Sequence, residues 1–400
     1  MVSDFLLTLA PDGKKHISGI IDKKSYKNSF SLQMRNFVYM NVVKILDRAL
    51  NSEAISGGEA LFIYEKAALQ DLIFVANQIR KKMHPGNTVG WIIDRNVNIT
   101  NVCVSQCLFC NFCRKKNQPD AYITSQEQYR QKIDELFVLG GNQLLLQGGM
   151  HPDLGLDFYV NLFSSLKSFY PSLKLHALGP PEIVFIAHKE KISFREVLEK
   201  LVKAGLDSLP GAGAEILSDR VRKIISPAKC SASEWLDVMR EAHKINLPTS
   251  ATMMFGHVES RQERIAHLIK IRQVQDEKPP AAYGFLSFIP WPFQQSGTRL
   301  ISKVPATTAV SHTDYLRLIA ISRIVLNNIP NIQPSWLTVG VSLAQLCLHA
   351  GGNDFGSVMM EEHVVSQAGA VHWLEKKQMV EAIKKAGFDP KFRNQKFEYF

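Results

Sequence analysis

From residue 88 onward, short apolar or β-branched runs alternate with amphipathic helical stretches. That alternation restricts the folds open to the chain more than any other feature. The runs fall at 91–93, 143–147, 173–178, 206–209, 249–255, 283–289, 332–336 and 352–355. Helical periodicity separates most of them, at 126–139, 194–204, 233–245 and 261–275. Strands spaced by helices predict a parallel sheet, because parallel neighbours need a crossover connection. Eight such units predict an α/β fold of the closed (βα)8 TIM type, with an active face at the C-terminal strand ends. An open doubly wound sheet is the alternative. A chain of 400 residues holds one such barrel with additions.

Four segments are expected. Residues 1–30 read as a loosely attached extension and 31–86 as a helical segment. Residues 87–390 read as the barrel with its C-terminal completion, and 391–400 as a tail. In the helical segment, Ser56 followed by Glu59 has capping-box spacing, and His84-Pro85-Gly86 stops the last stripe. Hydrophobic residues at 46% against 21% charged supply a core and exclude global disorder. No apolar run approaches the roughly 18 residues of a membrane helix. The N-terminal apolar patch lacks the basic stretch of a secretory signal, so a cytoplasmic location and no membrane partner are expected. The net charge of +10 comes from scattered basic pairs with no aromatic interleaving. That pattern argues against nucleic acid as the main partner and is compatible with an anionic small molecule.

Four of the six cysteines, Cys103, Cys107, Cys110 and Cys113, lie within eleven residues, soon after the first run. In a reducing compartment such crowding points to metal or redox chemistry rather than disulfides. Three readings compete. The C-x3-C-x2-C of Cys103, Cys107 and Cys110 suits three thiolates on an iron–sulfur cluster with one iron left open. All four cysteines could hold a structural zinc, although zinc ligands usually come as two separated pairs. Cys110 and Cys113 alone form a C-x-x-C dithiol spacing. Cys230 and Cys347 are isolated and read as structural thiols.

The C-x3-C-x2-C spacing, with the aromatic Phe109 before the last cysteine, resembles the signature of the radical S-adenosylmethionine (SAM) superfamily. The run Asp94-Arg95-Asn96-Val97-Asn98-Ile99-Thr100-Asn101-Val102-Cys103 resembles the menaquinone and deazaflavin subgroup. The segments 209–217, 251–257, 288–294 and 352–356 favour its futalosine-cyclising branch. The resemblance runs from about Gly58 to Arg393. It implies a 4Fe–4S cluster on Cys103, Cys107 and Cys110, SAM on the open iron, and Phe109 beside them. It also implies that one-electron cleavage of SAM yields a 5′-deoxyadenosyl radical. That radical would take hydrogen from the ribose of dehypoxanthine futalosine, and the sugar radical would close onto the benzoate ring. An electron donor such as flavodoxin or ferredoxin is implied as a partner. Aminofutalosine-synthase-like or deazaflavin-synthase-like chemistry is the enzymatic alternative. A zinc-containing nucleic-acid-binding protein is the non-enzymatic one.

Further residues follow from the resemblance and from the active face of a barrel. Gly148 and Gly149 end the second strand, where backbone can approach the methionine amino group closely. The acidic residue usual after them is replaced by Met150. Glu215 is expected on the nucleoside ribose, against the plainer reading of a solvated first-turn glutamate. His151, His257 and Glu259 are the candidate catalytic residues, and His176, Glu182, Trp291 and Phe293 the candidate substrate contacts. A tyrosine usual near the third cysteine is replaced by Cys113, whose pKa the adjacent Arg114 and Lys115 would lower.

Overall fold

The computed structural model describes residues 8–9, 15–16, 32–303, 310–361, 366–369, 372 and 374–400. The 1–30 extension lies mostly outside that set; within it β1 (Thr8–Leu9) pairs antiparallel with β2 (Lys15–His16). Helices α1 (Leu32–Leu50), α2 (Gly57–Lys66) and α3 (Leu69–Met83) precede the barrel. The barrel begins with β3 (Thr88–Ile92) and β4 (Asp94–Asn98). It continues through α4 (Gln126–Val138), β5 (Gln143–Gln147), α5 (Leu156–Phe169) and β6 (Lys174–Ala177). Next come α6 (Pro180–Glu190), α7 (Phe194–Ala204), β7 (Leu206–Ser208), α8 (Asp219–Ile225) and α9 (Ala232–Lys244). Then follow β8 (Thr249–Phe255), α10 (Arg261–Asp276), β9 (Phe285–Pro292), α11 (Arg299–Lys303), α12 (His312–Val325) and β10 (Asn331–Ile332). The chain ends with α13 (Trp336–Val339), α14 (Val341–His349), β11 (Asp354–Ser357), α15 (Lys376–Lys385) and β12 (Asp389–Phe392).

Local chemistry explains where many helices start. Ser56 and Glu59 form the expected capping box, and the same reciprocal pair opens α4 (Ser125, Gln128), α7 (Ser193, Glu196), α9 (Ser231, Glu234) and α10 (Ser260, Glu263). Each box satisfies two amide donors that a helix start otherwise leaves unpaired.

The strands are parallel and close into a ring. One sheet runs β4-β5-β6-β7 and another β8-β9-β10, linked by a parallel bridge between Leu209 and Thr249. β11 pairs with β3, and backbone bonds from Asn353 N to Ile332 O (3.1 Å) and Met360 N to Asp94 O (3.3 Å) complete the circle. The (βα)8 expectation therefore holds.

Two expectations need correction. The run at 91–93 belongs to β3, and the first strand to carry the cysteine loop is β4, a polar segment that did not read as a strand. Its inward positions are Asp94, Asn96 and Asn98, which face a cavity rather than a packed core. The 391–400 segment is not a loose tail. β12 adds to β3 in parallel, with Pro390 tolerated on this edge strand. The next residue, Arg393, makes a bidentate ion pair with fully buried Asp354 (2.5 and 2.8 Å) and stacks 3.8 Å from the Phe397 ring. This segment floors the barrel.

The interior of a (βα)8 barrel is ordinarily filled by branched apolar side chains. Here the inward positions include Asn96, Asn98, Gln143, Gln147, His176, Ser208, Ser250, Thr252 and Ser287. They enclose two adjoining cavities that share Leu145, Gln147, Ala212 and Thr252. The upper is about 320 Å³ and the lower about 230 Å³.

Candidate active site

The loop after β4 is held by its own side chains. Thr100 Oγ1 donates to Tyr122 O (2.6 Å) and accepts from Val102 N (3.1 Å). The Asn101 side chain binds Asp120 O (2.7 Å) and Tyr122 N (2.9 Å). The segment between the cysteines is clamped from both flanks: Leu108 N donates to Ile225 O, Leu300 N donates to Leu108 O, and Arg299 donates to the carbonyls of Gln106 and Cys107. Cys110 N donates to Cys107 O (3.2 Å), which turns the two side chains to one side. Cys103, Cys107, Cys110 and Cys113 all line the upper cavity.

The four thiols differ. The neighbouring Cys113 thiol leads the causes that pull the Cys103 thiol down, to about 6, and Cys113 Sγ donates to the Cys103 carbonyl oxygen (3.4 Å). Burial raises Cys107, and pushes Cys110 up to about 11. Cys113 is itself pushed up, first by Cys103 and then by burial. The expected lowering by Arg114 and Lys115 does not occur. The Arg114 guanidinium turns to Asp120 and to the carbonyls of Asn111, Phe112 and Cys113. An all-sulfur donor set on one cavity wall fits an iron–sulfur cluster. Among the described residues, no three His, Cys, Asp or Glu side chains are gathered as around a single ion.

Gly148 and Gly149 line the same cavity, but the need for glycine lies on their other side. A Cβ on Gly149 would lie 2.1 Å from Val102 O and 2.8 Å from Cys103 Cβ. Absence of a side chain here lets the end of β5 lie flush against the cysteine loop.

Glu215 also lines the upper cavity and is 4% exposed, before α8 begins, so it is not a solvated first-turn residue. Its Oε1 lies 2.9 Å from Lys229 Nζ. Lys229 was not singled out from the sequence, where a lone lysine in a loop gives no signal. Burial lowers its pKa, but Cys107 and Glu215 outweigh that and hold the ammonium above its usual value. Its Nζ lies 5.4 Å from the centre of the Phe109 ring, another lining residue.

The remaining candidates divide. Glu182 and Trp291 line the upper cavity, and His176 lines the lower one, bonded to Ser208 Oγ (2.7 Å). Burial, then Arg393, pull His176 down to about 4, so it is neutral. His151, His257, Glu259 and Phe293 line neither cavity. His151 Nδ1 accepts from Asp153 N in a turn (3.1 Å). Glu259 accepts from Gly256 N (2.7 Å), His257 N (2.9 Å) and Arg264 Nε (2.8 Å). Its carboxylate thus knits the loop after β8, with Phe293 packed 6.1 Å from His257. Lining residues missed by sequence include Asn96, Asn98 and Gln147. Period-two reading of β4 and β5 would have found them, had β4 been read as a strand.

Burial pushes the Glu182 carboxyl up to about 7. Its folded-state pKa lies above the unfolded value, so its contribution is fully present below about 4.5 and is lost as pH rises through about 7. The loss is worth roughly 3 kcal/mol. Melting temperature should therefore fall less steeply from about pH 5 to 8 in Glu182→Gln than in the wild type. Identical slopes would show that this carboxyl is solvated.

Residues 97–270 match the radical SAM superfamily, and residues 282–400 match the CofH/MqnC C-terminal region. The chain is 39% identical to a cyclic dehypoxanthine futalosine synthase of Halalkalibacterium halodurans, across 90% of this chain and 95% of that protein. It is 40% identical to one of Streptomyces coelicolor, across 89% and 88%. It is also 37% identical to a 5-amino-6-(D-ribitylamino)uracil–L-tyrosine 4-hydroxyphenyl transferase of Methanopyrus kandleri, across 81% and 87%. Among solved structures, methylornithine synthase PylB superposes with a TM-score of 0.66 at 18% identity, covering 88% of this chain and 98% of that one. The hydrogenase maturase HydG of Carboxydothermus hydrogenoformans gives 0.69 at 14%, covering 91% and 82%. These two speak for the fold alone.

Proposed function

The chain belongs to the radical SAM superfamily, in the branch with a CofH/MqnC C-terminal region, and on that premise we propose that it cyclises dehypoxanthine futalosine. The observation that carries the reading is a full-length likeness to two cyclic dehypoxanthine futalosine synthases, joined to an all-thiol loop over a polar barrel lumen. When bound, the 4Fe–4S cluster and SAM supply one-electron cleavage of the sulfonium to a 5′-deoxyadenosyl radical.

Each residue of the upper cavity then has a task. Cys103, Cys107 and Cys110 would hold the cluster, while Cys113 donates to the Cys103 carbonyl oxygen. The backbone at Gly148 and Gly149 borders the methionine end. Glu215, fixed by Lys229, accepts from the nucleoside hydroxyls. Trp291 stacks on the aromatic ring of the substrate. Restoring the aromatic ring after closure releases one electron, which the bound cluster would take up, and one proton, which Glu182, with its pKa near 7, accepts at a carboxylate oxygen. Arg393, stacked on Phe397, lines the lower end of the lumen. His151, His257 and Glu259 organise loops and take no part in proton transfer. A cytoplasmic flavodoxin or ferredoxin supplies the electron.

A second reading rests on the relatives named as 4-hydroxyphenyl transferases, whose identities of 37–40% overlap the 39–40% of the synthases, over a smaller share of the chain. Anaerobic turnover with SAM and dehypoxanthine futalosine, followed by mass spectrometry, separates the two. The expected product is two hydrogens lighter than the substrate, one hydrogen leaving the ribose and one the aromatic ring. Deuterium on the abstracted ribose carbon should appear in 5′-deoxyadenosine. Inert dehypoxanthine futalosine with turnover of tyrosine and the ribitylaminouracil would establish the transferase instead. A product enlarged by an adenosyl group would indicate aminofutalosine-synthase chemistry.

A further inference from the structure

Asn96 and Asn98 stand two residues apart on the lumen face of β4, in register with Leu145 and Gln147 of β5, and Gln143 stands below them in register with Asp94. They are 3%, 4% and 5% exposed. Asn98 and Asn96 line the upper cavity beside the cysteines, and Gln143 lines the lower one. Among the described residues, four of their polar atoms have no hydrogen-bond partner: Oδ1 and Nδ2 of Asn98, Oδ1 of Asn96 and Oε1 of Gln143. A buried polar atom left unpaired destabilises the fold, so a cluster of them on one cavity wall marks a place that a ligand completes.

The chemistry of the wall selects the ligand. Amides offer a donor and an acceptor whichever way they are turned, and a hydroxyl group both donates and accepts. A carboxylate or phosphate accepts only and would repel the amide oxygens. The cations that line the cavities, Lys229 and Arg393, are committed to Glu215 and Asp354. Trp291 reaches the same upper cavity from β9, across the ring. A sugar against the amide wall therefore leaves its aromatic substituent facing the indole.

We infer that Asn96 and Asn98 form the subsite that holds the sugar hydroxyls of the substrate and fixes which sugar hydrogen faces the cysteine loop. The inference rests on the proposed cyclisation of a ribose-containing substrate and adds to it the residues that orient the ribose. Two pentoses could meet this chemistry, that of the substrate and that of SAM. Glu215 lies on the loop after β7, away from the amide wall, and serves the nucleoside of SAM.

The test uses reconstituted holoenzyme with Asn98→Ala and Asn96→Ala. Each variant should raise KM for dehypoxanthine futalosine roughly tenfold, the loss of one to two hydrogen bonds. The 5′-deoxyadenosine released per product should rise, because a loosely held ribose uncouples cleavage from abstraction. The dissociation constant for SAM should stay within about twofold. Melting temperature of the substrate-free enzyme should be unchanged or higher, since an unpaired buried amide has been removed. A lower melting temperature with unaltered kinetics would make the amides structural and overturn the inference. Weakened SAM binding with an unchanged substrate KM would assign them to the cofactor ribose and overturn it equally. If the wild type cyclises the substrate and the variants match it, the inference alone fails. If the wild type does not cyclise it, the proposed function fails and the inference with it.

Discussion

Cys103→Ala, Cys107→Ala and Cys110→Ala should each give protein without bound iron–sulfur absorption and without detectable turnover, while Cys113→Ala keeps both. Each of the first three removes one of the three thiolates that would hold the cluster. Cys113 does not step in, because its Sγ is held on the Cys103 carbonyl oxygen (3.4 Å), a bond that Cys103→Ala leaves in place. Nor does the loop readjust easily, being pinned at Leu108 from both flanks and at Cys107 by Arg299. Iron and sulfide content after anaerobic reconstitution, with the visible spectrum, checks all four variants. Loss of iron in Cys113→Ala comparable to the other three would replace the three-thiolate site with a four-thiolate one.

Arg393→Leu should destabilise the whole barrel by about 3–5 kcal/mol, the usual effect of stranding one partner of a buried ion pair. Asp354 is fully buried, and Arg393 gives it two hydrogen bonds. Without the guanidinium the carboxylate keeps its desolvation cost and loses its compensation. A fall of roughly 4–6 °C in apparent melting temperature is expected. Adding Asp354→Asn should restore part of it by removing the stranded charge. A single variant that melts with the wild type would mean that the C-terminal segment does not hold the floor.

The helices were legible because their cues are local. Ser and Glu three residues apart open helices by bonds that never leave one turn. Apolar strands such as β5 and β8 were equally legible. β4 was not, since its inward side chains are amides and a carboxylate that meet a cavity instead of a core. β12 was hidden by its proline and by its distance in sequence from β3, the strand it joins. Among the site residues, the three cysteines were legible from spacing. Histidines and carboxylates at strand ends were not, because a loop side chain can turn inward like Glu182 or fold back on its own loop like Glu259.

Sequence alone therefore determined what depends on short-range pattern: the alternation that makes a (βα)8 barrel, the helix starts, and a C-x3-C-x2-C loop at the end of an early strand. The tertiary structure decided what depends on meetings between distant segments. It brought Lys229 to Glu215 and Cys107, set Cys113 as a donor to the Cys103 carbonyl oxygen, and carried Arg393 across the floor to Asp354. It also left the amides of β4 and β5 unpaired on the lumen wall. Periodicity reports which face of an element is apolar; it does not report what the polar face meets. Only closure of the ring places that face against a ligand, a buried charge or water, and the energies of those three surroundings differ by several kcal/mol.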